Sequence, residues 1–281
     1  MAGERLPSFD LVVATVDRVA EPERLLASLA TQTHSAFRVL LVDQNQDDRL
    51  EPILRGERPF DLERLRSARG LSRARNVALG AVRGDLVAFP DDDCVLAPDL
   101  LERVARRFVN DPALDGLTGR AIDELGHSSR SWARDPARLT RENLWNRAIS
   151  FTIFLRTPLA ARVGSFDEEL GLGAATPWAS GEEIDYLVRA LDTGARIEYD
   201  PTIVVTHPDR RVSSKALRSL GNRDGASVGY ILRKHGYPKR LVGAMFIRPI
   251  GGALLALARR DRAQAGFHLS TLRGRLLGYR S

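Results

Sequence analysis

Gly84-Asp-Leu-Val-Ala-Phe-Pro-Asp-Asp-Asp-Cys94 is the stretch on which the reading of this chain turns. Leu86, Val87, Ala88 and Phe89 make an apolar run of the length of a short buried strand, and Pro90 ends it by removing a ladder donor. Asp91, Asp92 and Asp93 then crowd the strand end with three adjacent carboxylates. Such groups repel one another, so the arrangement is unfavourable unless cations offset it. Oxygen ligands at this density suit Mg²⁺ or Mn²⁺, ions that bring phosphate oxygens with them. The carboxyl end of a strand is also where open α/β sheets bind ligands. The plainer alternative is a polar turn, because Asp starts helices and Pro98 to Phe108 has a helical pattern just downstream. An EF-hand calcium loop is excluded by the missing glycine and terminal glutamate spacing.

Working outward, the first half alternates strand and helix patterns and predicts a parallel α/β sheet. Phe9 to Thr15 reads as the first strand, Glu21 to Ala30 as a helix with Leu25, Leu26 and Leu29 on one face, and Phe37 to Asp43 as the second strand. Ser72 to Val82 reads as a helix leading to the strand before the triplet. From about 110 to 150 the periodicity weakens around Gly116, Gly119 and Gly126, which predicts irregular structure. Phe151–Arg156, Arg196–Asp200 and Thr202–Thr206 read as further strands.

The chain has 281 residues, enough for one large domain with an appendage. Its start lacks the apolar core of a signal peptide, and the single cysteine, Cys94, excludes an internal disulfide and fits a reducing cytoplasm. Net charge is unevenly spread: residues 210–281 carry sixteen Lys or Arg against Asp224 and Asp261, a balance of +14 in a chain of +6, leaving −8 for residues 1–209. A basic tail on an acidic body suggests an anionic membrane surface, nucleic acid or the body itself as the partner of the tail. The tail contains Leu241 to Ala258, nearly long enough to span a membrane but interrupted centrally by Arg248 and Pro249. This pattern suits helices lying at an interface or packed as an ordinary amphipathic pair against the domain.

Chemistry-bearing residues recur at the ends of these elements. Thr15-Val-Asp-Arg18 follows the first strand and Asp43-Gln-Asn45 the second, where an acid either caps a ribose or base or simply makes a turn. Gly70-Leu-Ser-Arg-Ala-Arg-Asn76 opens a helix whose N-terminus favours anions and offers Arg73 and Arg75; equally, it is a solvated helix start capped by Ser72. In Gly173 to Tyr186 a small-residue loop carries Trp178, able to stack on a sugar face or to pack. It leads into Glu182 and Glu183, acids that suit a first helical turn and that also suit a general base. His207 at a strand end is a plausible metal ligand or a lone structural imidazole.

The ordered set Val-Val-Ala-Thr-Val-Asp-Arg18, Val-Asp-Gln-Asn45, Gly-Leu-Ser-Arg-Ala-Arg-Asn76, Phe-Pro-Asp-Asp-Asp93 and Ser-Gly-Glu-Glu-Ile-Asp185 resembles bacterial family-2 glycosyltransferases of the GT-A fold. The resemblance covers residues 9 to about 207. It implies an α/β fold with a mixed, mostly parallel sheet flanked by helices, a catalytic domain over 1–209 (nucleotide-binding half 1–94, acceptor-side half 95–209) and a basic helical extension over 210–281. It further implies a metal-dependent, inverting transfer of one sugar from a nucleotide-sugar donor to an acceptor hydroxyl in polysaccharide or other glycoconjugate biosynthesis. Asp93, with Asp91 and His207, would hold Mn²⁺ or Mg²⁺; Thr15, Asp17, Arg18, Asp43, Arg73, Arg75, Asn76, Asp91 and Asp92 would bind the nucleotide sugar. Glu183 would be the base with Glu182 beside it, and Trp178 and Asp185 would contact acceptor or sugar. The second acid of the base motif is Glu where the family has Asp, so which glutamate faces the acceptor stays open. The expected partners are the donor, a sugar, lipid-linked or other hydroxyl acceptor and an anionic membrane surface, with no nucleic acid, in the cytoplasm or on the inner face of its membrane. A sugar-phosphate nucleotidyltransferase is disfavoured, since no glycine-rich loop follows the first strand; a nucleic-acid-binding tail is disfavoured for want of interleaved aromatics.

Overall fold

The structure, a computed structural model, describes residues 5–128, 131–208 and 213–281. They fall into two compact units, the first containing 5–69, 73–128, 131–166 and 186–208 and the second 70–72, 167–185 and 213–281.

The first unit holds one eight-stranded sheet in the order β3-β2-β1-β4-β7-β5-β8-β6. The strands are β1 (Phe9–Thr15), β2 (Phe37–Asp43), β3 (Asp61–Arg66), β4 (Leu86–Ala88), β5 (Gly116–Ile122), β6 (Ala137–Arg138), β7 (Ile153–Arg156) and β8 (Ile197–Thr206). From β3 to β4 the pairing is parallel; β7 runs antiparallel to β4 and β5, β8 parallel to β5, and β6 antiparallel to β8. Helices α1 (Ala20–Leu29), α2 (Glu51–Leu54), α3 (Leu71–Leu79), α4 (Leu100–Asn110), α5 (Thr157–Val163) and α6 (Glu182–Asp192) intervene, α3 and α6 each starting in the second unit and continuing in the first. The second unit adds α7 (Ser214–Lys234), α8 (Lys239–Ala258) and α9 (Arg262–Arg280).

β1 and β2 read as near-continuous apolar runs because parallel strands are covered on both faces. Leu11, Val13, Val39 and Leu41 pack with Leu25 and Leu29 of α1 and with Leu100, Val104 and Phe108 of α4. Each such side chain contributes roughly 1.5–3 kcal/mol through its removal from water. One polar tie sets the central register. Arg38 of β2 donates through Nε to Asp10 Oδ1 of β1 at 2.5 Å and through Nη2 to Oδ2 at 3.0 Å. The Gly84 amide donates to the same Oδ2 at 2.8 Å, so Asp10 also fixes the turn that feeds β4.

The stretch expected to be irregular contains β5. Its glycines, which broke the pattern, have a packing cause: a Cβ on Gly119 would lie 2.2 Å from the Ile203 carbonyl oxygen of β8. The two strands expected around Pro201 are one, β8, with a register irregularity opposite on β5 between Thr118 and Arg120.

In the second unit α7 and α9 pack backbone to backbone. Gly221, Gly225 and Gly229 of α7 approach Phe267, Thr271 and Arg275 in turn, so the two helices run parallel. Gly274 and Gly278 return the contact, their Cβ positions lying 2.0 Å from the Asn222 carbonyl and 1.9 Å from that of Ala226. Small residues every fourth position permit this approach. The interruption expected at Arg248 and Pro249 does not break α8, which runs through Pro249. Proline leaves the carbonyl four residues back without its helical donor, and the Arg275 guanidinium of α9 donates to that carbonyl, on Met245.

Burial raises the Asp10 carboxyl, but Arg38 and the Gly84 and Arg83 amides outweigh it and hold the group below its ordinary 3.8. A depressed acid contributes stability that is complete above its unfolded value and lost as pH falls through its folded value. Asp10→Asn is therefore expected to cost about 2 kcal/mol at neutral pH, measured by urea unfolding. The gap to wild type should narrow below pH 3.8; an undiminished gap there would mean that charge is not what Asp10 contributes.

Candidate active site

Asp91, Asp92 and Asp93 sit just past β4 at the carboxyl end of the parallel strands, closed into a turn by the Cys94 amide donating to the Asp91 carbonyl at 3.1 Å. Asp92 and Asp93 are buried and Asp91 is half-buried. The first unit itself supplies cations against this charge. Arg18, after β1, reaches Asp92 Oδ1 at 2.5 Å and Asp93 Oδ2 at 2.9 Å. Arg75 of α3, only 2% exposed, lies 3.3 Å from Asp91 Oδ1, its guanidinium flanked by the rings of Phe89 and Phe166. His207, just past β8, brings Nε2 to 3.1 Å from Asp93 Oδ1 and stacks on Phe151 at a ring separation of 4.7 Å. Thr15 at the end of β1 donates to Asp92 Oδ2 at 2.7 Å.

The electrostatics follow. Desolvation raises the Asp92 carboxyl above its usual range, against the Thr15 bond and the Arg18 charge. At His207 burial lowers basicity, but the hydrogen bond and charge of Asp93, with the charge of Asp91, outweigh it and raise the group above 6.5. Asp91, Asp93 and His207 each offer a ligand atom, and these atoms lie within 4.8 Å of one another. Two carboxylates and an imidazole suit a divalent cation. The expected trio is thus brought together by the ends of β4 and β8, with the backbone bridge between Val95 and Thr206 tying the two.

Other expected residues line this end of the sheet with their polar atoms already engaged. Asp43 is fully buried at the end of β2, where Oδ1 accepts from the Asn45 amide and side chain at 2.9 and 2.8 Å and Oδ2 from Arg64 Nη2 at 2.6 Å. It thereby shapes the Gln44-Asn45 loop, and Asn45 Oδ1 in turn accepts from the Asp17 amide at 2.7 Å. Asp17 adopts the left-handed conformation, φ 58°, which Asp tolerates better than most residues. Its carboxylate pairs with Arg69. Asn76 exchanges two bonds with the Phe166 backbone, at 3.0 and 2.7 Å, and so anchors α3. Arg73 is exposed.

In the second unit Glu182 and Glu183 occupy the first turn of α6, where the helix dipole favours acids. Gly181, at φ +76°, makes the turn into the helix, and Gly171, at φ +90°, has no room for a Cβ against Ser72 Oγ at 2.7 Å. Glu182 is buried and Glu183 half-buried. Asp185, expected to touch acceptor or sugar, instead lies inside the unit with a side chain 0% exposed: Lys234 Nζ and His235 Nε2, at the end of α7, approach Oδ1 at 2.7 and 2.8 Å. Lys234 also pairs with Asp167 at 2.6 Å. Burial alone would lower Lys234, but Asp167 and Asp185 more than compensate and raise it. Trp178 stacks on Tyr230 of α7 at 4.8 Å and 7°, and its carbonyl accepts from Ser227 at 2.9 Å. The partners Arg64, Lys234, His235 and Tyr230 carry no local sequence signal, since each meets its target from a distant part of the chain.

An open, mostly parallel sheet with a carboxylate–imidazole cluster beyond β4 is the arrangement that the resemblance to GT-A glycosyltransferases implies. Residues 10–165, more than half of the chain, match the family described as Glycosyl transferase family 2, and the chain belongs to that family. Among curated relatives, an uncharacterised glycosyltransferase of Haemophilus influenzae is 25% identical over 73% of this chain and 70% of its own length. The succinoglycan biosynthesis protein ExoM of Rhizobium meliloti is 26% identical over 81% of this chain and 77% of its own. The pre-mycofactocin glycosyltransferase of Mycobacterium tuberculosis is 29% identical, but the match spans 51% of this chain and only 31% of that protein. Of solved structures, the Pyrobaculum calidifontis mannosyltransferase in complex with GDP-Man and Mn²⁺ superposes with a TM-score of 0.65 at 15% identity, over 98% of this chain and 87% of that one. Staphylococcus aureus TarS residues 1–349 with UDP-GlcNAc gives 0.60 at 18%, over 95% and 90%. At these identities the likeness is one of fold.

Asp185→Asn removes the buried charge that Lys234 and His235 share, leaving the exposed Lys234 with Asp167 alone as its acidic partner. Hydrogen bonds to a charged group contribute about 1.5–3 kcal/mol, so a drop in melting temperature is expected by circular dichroism. A variant melting with wild type would show that Asp185 does not hold the helix start.

Proposed function

We propose that the protein moves one sugar from a nucleoside-diphosphate donor to an acceptor hydroxyl with inversion at the anomeric carbon. The observation that carries this reading is the convergence of Asp91, Asp93 and His207 at the carboxyl end of a parallel sheet. These three would hold Mn²⁺ or Mg²⁺, which when bound offsets the charge of the departing diphosphate as a Lewis acid. Thr15, Arg18 and Asp92 orient the donor beside that charge, Asp17 and the loop ordered by Asp43 receive base and ribose, and Arg73, Arg75 and Asn76 form the helix start facing the phosphates.

Glu183 accepts the proton of the acceptor hydroxyl as that oxygen bonds to the anomeric carbon; the carbon's bond to the diphosphate oxygen breaks with its electron pair. Direct displacement needs one base and no covalent sugar–enzyme intermediate. Glu183 is the more exposed of the pair, which supports it over Glu182. Trp178 offers a ring to a sugar face, while Asp185 positions the base-bearing turn. The complexes of the structural neighbours with GDP-Man and UDP-GlcNAc support a nucleotide-sugar donor, and the succinoglycan biosynthesis role of ExoM supports polysaccharide biosynthesis. The acceptor is a sugar, lipid-linked or other hydroxyl compound. The basic extension supports a peripheral position on the cytoplasmic face of an anionic membrane.

Two variants separate donor from base. Asp93→Ala should lose Mn²⁺-dependent binding of nucleoside diphosphate in calorimetry. Glu183→Gln should keep that binding and lose transfer by ~10²–10⁴-fold; near-normal turnover by Glu183→Gln would remove it from the role.

A further inference from the structure

The C-terminal helices invert the usual rule for a helix surface. Ile247, Leu254, Leu255 and Leu257 of α8 are exposed by 66%, 64%, 53% and 54%. Ala244, Ile247, Gly251, Leu254 and Ala258 recur at helical spacing on that exposed side, whereas Met245, Pro249, Ala253 and Ala256 are the buried ones. By length and composition α8 could cross a membrane, yet only 22% of its apolar window is buried. A contiguous apolar face of this kind marks a contact surface.

Its charges identify the contact. Lys239 and Arg240 begin α8, Arg259 and Arg260 follow it, and Arg248 stands in the middle of the exposed face. Residues 239–281 contain nine Lys or Arg against one acid, Asp261. A second copy of the chain would bring like charges together on this surface; an anionic bilayer complements them. A spanning α8 would put Arg248 at mid-bilayer, which costs about 2.5–3.5 kcal/mol, whereas a helix lying in the interface leaves every one of these cations at headgroup depth.

One spot within the face is uncompensated. Arg248 Nη1 lies 3.7 Å from Met245 Sδ, and Arg275 reaches the carbonyl of the same residue. The two guanidinium groups therefore converge on Met245, and the charge that acts on Arg275 is that of Arg248, with none from a carboxylate among the described residues. Arg275 Nε is buried with no hydrogen-bond partner among the described residues. Burial, with the charge of Arg248, pushes Arg275 down to about 10. Buried charge without a counter-charge is costly, so a site of this form favours an anion.

Resting on the peripheral reading above, we propose that α8 docks in the plane of an anionic phospholipid surface, its leucine and isoleucine face entering the acyl boundary and Arg248 and Arg275 together receiving a lipid phosphate. The parallel α7–α9 glycine contact gives this face a rigid support. Such docking would present the enzyme to acceptors carried in the lipid layer.

Flotation of the full-length protein with phosphatidylcholine vesicles, with and without phosphatidylglycerol, tests this. Wild type should float with the anionic vesicles only, and less at high salt. Arg248→Glu and Leu254→Glu, both at exposed positions, should each lower partitioning at least about tenfold, with melting temperature and Mn²⁺-dependent nucleoside-diphosphate binding unchanged. Equal flotation on neutral vesicles would overturn the proposal, as would no flotation together with a dimer in sedimentation that Leu254→Glu abolishes. Anionic-selective flotation that survives Arg248→Glu would overturn the phosphate site while leaving the peripheral reading in place.

Discussion

Three carboxylates in succession at the end of a buried strand are tolerable only if positive charge is delivered to them. In this chain the sheet performs the delivery. Arg18 arrives from the end of β1 and Arg75 from α3, while the His207 ring meets Asp93 from the end of β8, so the cluster is engaged by elements far apart in sequence. The order of the sheet is thereby coupled to chemistry, since β4 lies beside β1 and the Val95–Thr206 bridge draws the end of β8 to the turn. The tie from Asp10 to Arg38 and to the Gly84 amide holds the opposite end of β4. A slip of one residue there would turn every side chain of the strand to the other face.

The second unit applies the same logic to a helix start. Glu182 and Glu183 begin α6, and the buried Asp185 one turn further on is anchored by Lys234 and His235 from the end of α7. The basic extension is thus more than an appendage to the motif-bearing segment: its first helix holds the turn that carries the proposed base. Glycine contacts then lock α9 against α7, and α9 supports α8 by filling the carbonyl that Pro249 leaves without a donor.

Much of this was legible beforehand, for identifiable reasons. β1 and β2 match the expected Phe9–Thr15 and Phe37–Asp43 because strands buried on both faces must be apolar throughout. The grouping of Asp91, Asp93 and His207 was an implication of the family resemblance, since His207 alone gives no signal of it. β3, Asp-Leu-Glu-Arg-Leu-Arg, is a charged edge strand with no apolar run to reveal it. β5 was hidden because glycine, which weakens any strand pattern, is required at Gly119 by the approach of β8. The engagement of Asp43 by Arg64, and of Asp185 by Lys234 and His235, could not be seen, because long-range ion pairs have no period. Asp185 shows the consequence: the motif that contains it gives no sign of the lysine and histidine that meet it from the end of α7.

The central claim is that the carboxylate–imidazole cluster past β4 binds the donor through a divalent ion. Calorimetric titration of the wild-type protein with nucleoside diphosphates, in Mn²⁺ and in excess chelator, tests it most directly. The account predicts binding of at least one nucleoside diphosphate in Mn²⁺ that disappears with the chelator. Equal affinity in both conditions would contradict it.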